Sequence, residues 1–172
     1  MKKQFRKHYM RRIYRPGAEE LLQWLEATGF YNAPTSTLAR EGGLVEHSLH
    51  AYKRLRRLYM LEYTDGDIPY PEQDESIAIC GLLHDIGKIN VYRQESGENA
   101  FCGHGEKSVY TISRFMRLTK EETMAIQWHM GLMDNDSNVS RNSIENMFPL
   151  ALLTHTADLQ ATYLDGTKGA GK

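Results

Sequence analysis

Cysteine is scarce in this chain, because Cys80 and Cys102 are the only two among 172 residues. Cys80 falls in an apolar segment and Cys102 stands beside Gly103. This usage argues against a framework of disulfides and suits a reducing compartment. We therefore interpret both residues as inert thiols.

Long apolar runs are also absent. No segment approaches the ~20 apolar residues that a transmembrane helix requires. The N-terminus, MKKQFRKHYMRRIYR, has no apolar stretch after its charges, which a secretory signal would have. From these two absences we expect a cytoplasmic protein without a membrane segment.

The composition is that of a soluble folded protein. Hydrophobic residues make up 41% and charged residues 25% of the chain, and the net charge is −1. A chain of this length suits one domain that buries about two-thirds of its unfolded surface. Two domains of half this length would each have only a small hydrophobic core.

The net charge is near neutral, but basic residues are concentrated in a block at the N-terminus. The aromatic residues Phe5, Tyr9 and Tyr14 interleave with its cations, as base-stacking side chains do in a nucleic-acid groove. We expect residues 1–17 to be a basic arm, and we favour a solvated arm or a first helix without such a partner, because charge runs are common at chain termini. The alternative is contact with nucleic acid through residues 2–15. The block precedes the first acid, Glu19, and contains Lys2, Lys3, Arg6, Lys7, Arg11, Arg12 and Arg15. A second cluster, expected on the solvent face of a helix, contains Lys53, Arg54, Arg56 and Arg57.

Apolar residues recur at helical spacing through most of the chain, and no run alternates convincingly with a period of two. Thr119 and Glu122 form the sequence pattern of a capping box, which predicts a helix start. We predict an all-α fold with about six helices, in one compact domain of residues 18–164 followed by a disordered tail of residues 165–172. The predicted helical segments are residues 18–28, 44–62, 75–87, 105–118, 119–129 and 144–163.

The first candidate site residue is His47. At about 100° per residue, His47 falls inside the apolar stripe that contains Leu44, Ala51 and Leu55, whereas His50 lies toward the edge of that stripe. A histidine on an apolar face is commonly a hydrogen-bonded core residue rather than a ligand. The choice depends on whether other ligands accompany it.

The segment GLLHDIGK supplies such companions. An ionised Asp85 inside an apolar helix is costly unless a cation accompanies it. His84, the adjacent residue, could bind the same metal ion from a neighbouring direction. We expect Gly87 to end this helix and Lys88 to stand beside the site, where its ammonium could neutralise a phosphate oxygen. The alternative for Lys88 is an ordinary surface lysine.

The remaining candidates come later in the chain. Asp158 borders the inward stripe of the last predicted helix and is a candidate ligand, whereas His155 lies farther toward solvent and could support a ligand. His104 stands between two glycines at a helix start, and His129 stands at a helix end just before Gly131. Both positions suit a shared cavity, although either histidine could instead be unrelated to a metal.

The order of these residues resembles the HD-domain superfamily of metal-dependent phosphohydrolases. GGLVEHSLHAY is similar to the helix of the first histidine, CGLLHDIGKI to the defining His-Asp pair, and LLTHTADLQATY to the last-helix motif. Together these motifs span about residues 42–163. The resemblance implies a helical HD bundle in which a first metal is bound by His47, His84, Asp85 and Asp158.

The resemblance also implies a second metal. Superfamily members that hold two metals have two additional histidines between the His-Asp pair and the final Asp, and His104 and His129 occupy that order. Asp85 would then bridge the two metals. The sequence motif HDIGK resembles that of the cyclic-dinucleotide phosphodiesterases of the HD-GYP branch, but no GYP motif follows His129. The first-histidine and THTAD segments are similar to bacterial HD-type 3′-to-5′ exoribonucleases, although no separate OB-fold module is present.

The expected chemistry is hydrolysis of a phosphoester of a nucleotide or nucleic-acid end by a metal-activated water, with Asp85 and Lys88 as catalytic residues. Mixed imidazole and carboxylate ligands suit one or two divalent ions of Mn, Fe, Co, Ni or Zn. A cyclic-dinucleotide phosphodiesterase and a non-catalytic metal- or nucleotide-binding regulatory module are the alternatives. A closed structural metal site is disfavoured because such sites are usually rich in cysteine. The sequence does not indicate an oligomeric state.

Overall fold

The computed structural model describes residues 1–36, 38–90, 103–131 and 148–165. No strand occurs among these residues, and the predicted all-α fold is confirmed. None of their helices is long and apolar enough to cross a membrane. A 3-10 helix, Ile86–Asn90, follows the fourth α-helix, and a π-helical turn, Ala161–Asp165, follows the last. The α-helices are α1 (Lys2–Arg12), α2 (Ala18–Ala27), α3 (Gly43–Tyr63), α4 (Pro71–Leu83), α5 (His104–Ser113), α6 (Lys120–Gln127) and α7 (Pro149–Gln160).

The centre of the fold is α4, which packs against α1, α3, α6 and α7. Its residues are apolar on nearly every side, and every residue from Ile77 to Leu83 is buried. A helix that is apolar all round is stable only where other helices surround it. The His-Asp pair follows directly after this helix, so its side chains begin from the buried core.

Local sequence signals explain most helix ends. Pro71 begins α4 at the position where its missing N–H costs nothing. The predicted capping box is confirmed, because Thr119 Oγ1 accepts the N–H of Glu122 at 3.1 Å and Glu122 Oε2 accepts the N–H of Thr119 at 2.8 Å. The expectation that Gly87 ends the preceding helix is wrong, since α4 ends at Leu83 and the 3-10 helix already contains Gly87.

The basic N-terminus forms a helix that packs into the core. Phe5, Tyr9 and Ile13 are 0%, 2% and 4% exposed and belong to the same hydrophobic cluster as the central helix. Phe5 and Tyr9 are therefore not accessible for stacking on nucleic-acid bases, whereas Tyr14 is 62% exposed. Core residues lie on both sides of the predicted boundary between residues 17 and 18, and that boundary stays a prediction.

An ion-pair network holds the segment after α1 against two other helices. The Arg15 guanidinium donates to both carboxylate oxygens of Glu122 at 2.8 Å and to Glu75 at 3.2 Å. The backbone N–H groups of Tyr14 and Arg15 also donate to Glu75, at 2.8 and 3.0 Å. Since Glu122 is fully buried, its charge is tolerated only because Arg15 and Ser76 satisfy its oxygens.

Several predicted features lie outside the described residues. These are Cys102, the polar segment of residues 132–147 with the predicted start of the last helix, and the tail from residue 166 onward. Within the described part, Cys80 is a free thiol, and its complete burial raises its pKa well above the usual value. The reading of Cys80 as an inert core residue agrees with this environment.

Candidate metal centre

Four of the predicted ligands meet in the interior of the helical bundle. His47 comes from the second turn of α3, His84 and Asp85 follow α4, and Asp158 lies in α7. One ligand atom of each residue lies within 4.8 Å of the others, and all four side chains are buried. Residues distant in sequence therefore form one cluster of two imidazoles and two carboxylates.

A second cluster shares one residue with the first. Asp85, His104 and His129 also bring ligand atoms within 4.8 Å of one another. His104 is the first residue of α5, and His129 follows the end of α6 by two residues. All six predicted ligands thus lie in one continuous site.

The carboxylate of Asp85 joins the two clusters through different oxygens. Its Oδ2 lies 3.4 Å from His47 Nε2 and 3.7 Å from His84 Nε2. Its Oδ1 lies 3.1 Å from His129 Nε2 and 3.5 Å from His104 Nε2. Each oxygen therefore faces one pair of imidazoles, which is the arrangement that a bridging carboxylate needs.

Backbone carbonyls fix the orientation of two of these imidazoles. His84 Nδ1 lies 3.2 Å from the carbonyl oxygen of Gly81, and His129 Nδ1 lies 2.7 Å from that of Ile126. A carbonyl only accepts hydrogen bonds, so Nδ1 carries the proton in both rings. In the neutral rings, Nε2 then presents its lone pair to the centre, which is the form that binds a metal.

The donor set fits divalent cations better than it fits a network of hydrogen bonds. His47 Nε2 faces His84 Nε2 at 3.2 Å, and His104 Nε2 faces His129 Nε2 at the same distance. The buried Asp85 Oδ1 has no hydrogen-bond partner. Lone pairs that converge without donors are satisfied by a cation. Imidazole and carboxylate donors without a thiolate suit divalent transition metals.

The electrostatics favour ionised carboxylates here. Burial by itself raises the pKa of Asp85, but the neighbouring side chains of His84, His129 and Lys88 lower it well below its usual value. Burial likewise opposes ionisation of Asp158, and the neighbouring imidazoles of His47 and His84 lower its pKa. His47 Nε2 lies 2.8 Å from Asp158 Oδ1. Both carboxylates are therefore negatively charged ligands at neutral pH.

Among the described residues, one side of the centre is partly exposed. The side chains of His104 and Lys88 are 26% and 20% exposed, whereas those of His84, Asp85 and His129 are fully buried. Burial nevertheless lowers the pKa of His104 to about 4, so this ring is neutral and able to bind a metal at pH 7. Within the described part of the chain, the side chains of His104 and Lys88 form the exposed edge of the centre.

Three glycines, for which the sequence indicated no packing role, allow the ligand-bearing elements to approach one another. A Cβ on Gly81 would lie 2.5 Å from Tyr52 Cα, a Cβ on Gly87 would lie 2.3 Å from the His104 carbonyl oxygen, and a Cβ on Gly105 would lie 2.5 Å from the Gln127 carbonyl oxygen. Each contact leaves no room for a side chain. They join α3 to α4, the 3-10 helix to α5, and α5 to α6.

Ser108 is a further residue that the sequence did not indicate. Its hydroxyl accepts the N–H of Gly87 at 2.9 Å and donates to the carbonyl oxygen of His104 at 2.9 Å. Ser108 is fully buried. It therefore links the turn after Asp85 to the helix that carries His104, and no linear motif reveals such a link.

The two histidines that helical phase ranked lower lie beside the centre. His50 is half-buried, and it is not part of either cluster found among the described residues. His155 donates its Nδ1–H to the carbonyl oxygen of His129 at 2.7 Å. His155 thus supports a ligand-bearing segment, which is the role that its position in the sequence suggested.

Comparison with known proteins identifies the family of this arrangement. A family model described as HD domain matches residues 44–159. Searches of curated proteins and of solved structures found no match. The matched region begins just before His47 and ends just after Asp158, so it encloses all six clustered residues. The chain belongs to the HD-domain family.

Proposed function

We propose that the protein is a metal-dependent phosphohydrolase that cleaves a phosphoester of a nucleotide or of a nucleic-acid end with water. The observation that carries this proposal is the placement of Asp85, whose two oxygens face different imidazole pairs. The six residues, linked through Asp85, could hold two divalent ions. His47, His84 and Asp158 would bind one ion, and His104 and His129 would bind the other. Asp85 would be shared.

Divalent ions held in this way make water a better nucleophile near neutral pH and stabilise the attacking and leaving oxygens at phosphorus. The chain's own residues orient the reaction. The buried carboxylates of Asp85 and Asp158 keep the centre negative and desolvated, and the carbonyl bonds of His84 and His129 hold their rings in place. This preorganisation reduces the rearrangement needed during reaction.

Among the described residues, Lys88 is the cation best placed to meet the substrate. Its Nζ lies 2.7 Å from Asp85 Oδ2, and its side chain is 20% exposed at the open side of the centre. An ammonium in that position can donate to a phosphoryl oxygen while it remains paired with the carboxylate. We therefore propose that the phosphoryl group approaches past Lys88 and His104.

Two other functions use the same centre. A cyclic-dinucleotide phosphodiesterase would perform the same hydrolysis on another substrate, but no GYP motif follows His129. A regulatory module would hold metal or nucleotide without turnover, and the partly exposed Lys88 and His104 favour catalysis over that alternative. A purely structural metal would need neither an open side nor a substrate-facing ammonium.

The test is hydrolysis by the metal-loaded protein. The full chain would be loaded with Mn²⁺, its metal content measured, and a generic aryl phosphodiester, nucleotides, a cyclic dinucleotide and short RNA assayed in turn. We expect turnover of the aryl diester together with at least one nucleotide or RNA substrate. A filled metal site without turnover on any of these substrates would refute the enzymatic proposal and leave the regulatory module.

A matched pair of variants assigns the role of Lys88. Lys88→Gln removes the charge at the open side, whereas Lys107→Gln removes a charge from a nearby residue of α5 that lies in neither cluster. We expect Lys88→Gln to lower kcat by roughly 10²-fold, the magnitude typical of losing one transition-state donor, and Lys107→Gln to have a small effect. Equal activity in the two variants would contradict the role given to Lys88.

A further inference from the structure

Six of the seven cations of the N-terminal block separate into two groups in the folded protein, and the seventh, Lys2, lies over the ring of Tyr31. Three form ion pairs: Arg12 with Asp74, Arg15 with Glu75, and Arg6 with Glu26. Lys3, Lys7 and Arg11 are exposed and take part in no ion pair within the described residues. They recur every four residues and so form one ridge along α1.

The neighbouring helix continues this positive surface. Lys53 and Arg57 are exposed one turn apart on α3, again without an ion pair in the described part of the chain. The two helices meet where the rings of His8 and Tyr52 lie 5.1 Å apart. We call these five cations the α1–α3 basic surface: Lys3, Lys7, Arg11, Lys53 and Arg57.

Two observations show that this region is positive rather than merely mixed in charge. Asp74, the carboxylate that ties α1 to α3 and α4, accepts bonds from both Arg12 at 3.1 Å and Arg56 at 2.8 Å, so two cations meet one anion. Burial lowers the pKa of the half-buried His8, and every charged group that contributes further is a cation: Arg12, Lys53, Lys7 and Arg11.

The geometry points to a single-stranded nucleic acid as the partner of the α1–α3 basic surface. This inference rests on the proposed function and extends it, because it names a polynucleotide rather than a free nucleotide as the substrate class. A row of cations can track the phosphates of a strand, and the exposed ring of Tyr14 just beyond α1 offers a stacking partner for a base.

An anionic membrane is a poorer fit to this surface. A helix that binds a bilayer inserts its apolar face, and the apolar face of α1 is already used, because Phe5, Tyr9 and Ile13 are buried in the core. Recognition of a strand needs only cations and an exposed aromatic ring. The arrangement of α1 therefore favours the strand.

The decisive measurement is the salt dependence of strand binding. The full chain loaded with Mn²⁺ would be titrated into a labelled single-stranded 12-nucleotide RNA with a hydrolysis-resistant phosphorothioate backbone, and fluorescence anisotropy recorded. If the five cations each meet a phosphate, affinity should fall about 100-fold between roughly 50 and 200 mM salt. In the triple variant Lys7→Gln, Arg11→Gln and Lys53→Gln, the same fall should be only about sevenfold.

A second triple variant controls for net charge. Arg114→Gln, Arg117→Gln and Lys120→Gln remove three cations near α5 and α6, two of which stack on Phe115 and Phe148. At about 0.1 M salt we expect the α1–α3 variant to bind roughly 100-fold more weakly than wild type and the control variant to bind like wild type. Thermal unfolding of each variant checks that the fold is intact.

The outcomes separate this inference from the proposed function. If both triple variants weakened RNA binding equally, or if the protein bound phosphatidylserine vesicles more tightly than RNA, the α1–α3 basic surface would not be a nucleic-acid-binding site. Turnover of an aryl diester without RNA binding at about 50 mM salt would refute RNA binding by the α1–α3 basic surface but would not contradict the proposed phosphohydrolase activity. Salt-dependent RNA binding without turnover on any substrate would support the surface and refute the phosphohydrolase.

Discussion

The two halves of the metal centre differ in how the fold holds them. His47 belongs to α3, His84 directly follows α4 and Asp158 belongs to α7, and all three are at most 5% exposed. His104 and His129 stand at the first residue of α5 and beyond the end of α6, and the side chain of His104 is 26% exposed. One half is part of the helical core, and the other is assembled from helix ends.

This difference indicates a division of roles. A ligand set inside the core keeps its geometry because the surrounding packing fixes each rotamer. In the second ligand set, His104 at the start of α5 is partly exposed, whereas His129 is buried. We therefore expect the inner half to bind its metal more tightly and the outer half to exchange its metal more readily.

The largest effect should come from Asp85→Ala, because both halves share this carboxylate. We expect metal content to fall below one equivalent and hydrolysis to drop by roughly 10³-fold or more, since bridging and water activation are lost together. Metal analysis by plasma emission and an aryl-diester assay measure the two quantities. Near-normal activity would refute the assignment of Asp85.

A smaller effect is expected from His104→Ala, which breaks only the outer half. The variant should retain one metal equivalent and lose activity by roughly 10²-fold, whereas His47→Ala should weaken the inner metal. Isothermal titration with Mn²⁺ would resolve the two binding events. If His104→Ala removed both metals and His47→Ala removed neither, the proposed difference between the halves would be reversed.

Ser108→Ala should loosen the connection between the halves. It leaves the buried N–H of Gly87 without its acceptor and frees the His104 carbonyl from its donor. We expect the outer metal to bind about tenfold more weakly, as is typical when a supporting hydrogen bond is removed, with little change at the inner site. Ser113→Ala, at the exposed end of α5, is the matched control. Identical metal titrations for the two variants would exclude this role.

Glu122→Gln should affect stability without affecting metal binding, which separates support of the fold from ligation. Burial alone raises the pKa of Glu122, but hydrogen bonds from Arg15 and Ser76 lower it below the ordinary 4.5. We expect a loss of about 2 kcal/mol at pH 7, because a buried Arg15 loses its charged partner.

The pH dependence of that loss has a definite sign. A carboxyl group whose pKa is lowered by folding stabilises the protein above its unfolded pKa, and this contribution is lost as pH falls through the folded value. The difference between wild type and Glu122→Gln should therefore be full at pH 7 and shrink below about pH 4.5. Urea unfolding at several pH values measures it, and a constant difference down to pH 3 would contradict the ionised pair.

Helical phase predicted the inner half of the site well. The apolar stripe of α3 ranked His47 above His50, and the structure places His47 in the cluster and His50 outside it. The same reasoning ranked Asp158 above His155. These rankings succeed because the period of an α-helix is fixed, so a residue's position relative to the core follows from neighbours three and four residues away.

Other features could not be derived in this way. The sequence suggested that Gly87 ends a helix, but its actual environment is a close contact with the backbone of α5. The sequence predicts a basic arm at the N-terminus, and nothing local in it reveals that Phe5 packs against Tyr9, Phe30 and Tyr31. Both depend on residues far away in the chain.

The sequence by itself determined most of the helices, the candidate ligands and the family resemblance, because periodicity, capping and short motifs are local properties of a chain. Tertiary structure alone decided that Asp85 divides its oxygens between two imidazole pairs and that Ser108 and three glycines hold those pairs together. It also decided which cations of α1 face inward and which remain exposed. The physical reason is that distances of a few ångströms between distant segments are set by packing of the whole core, which no local pattern encodes.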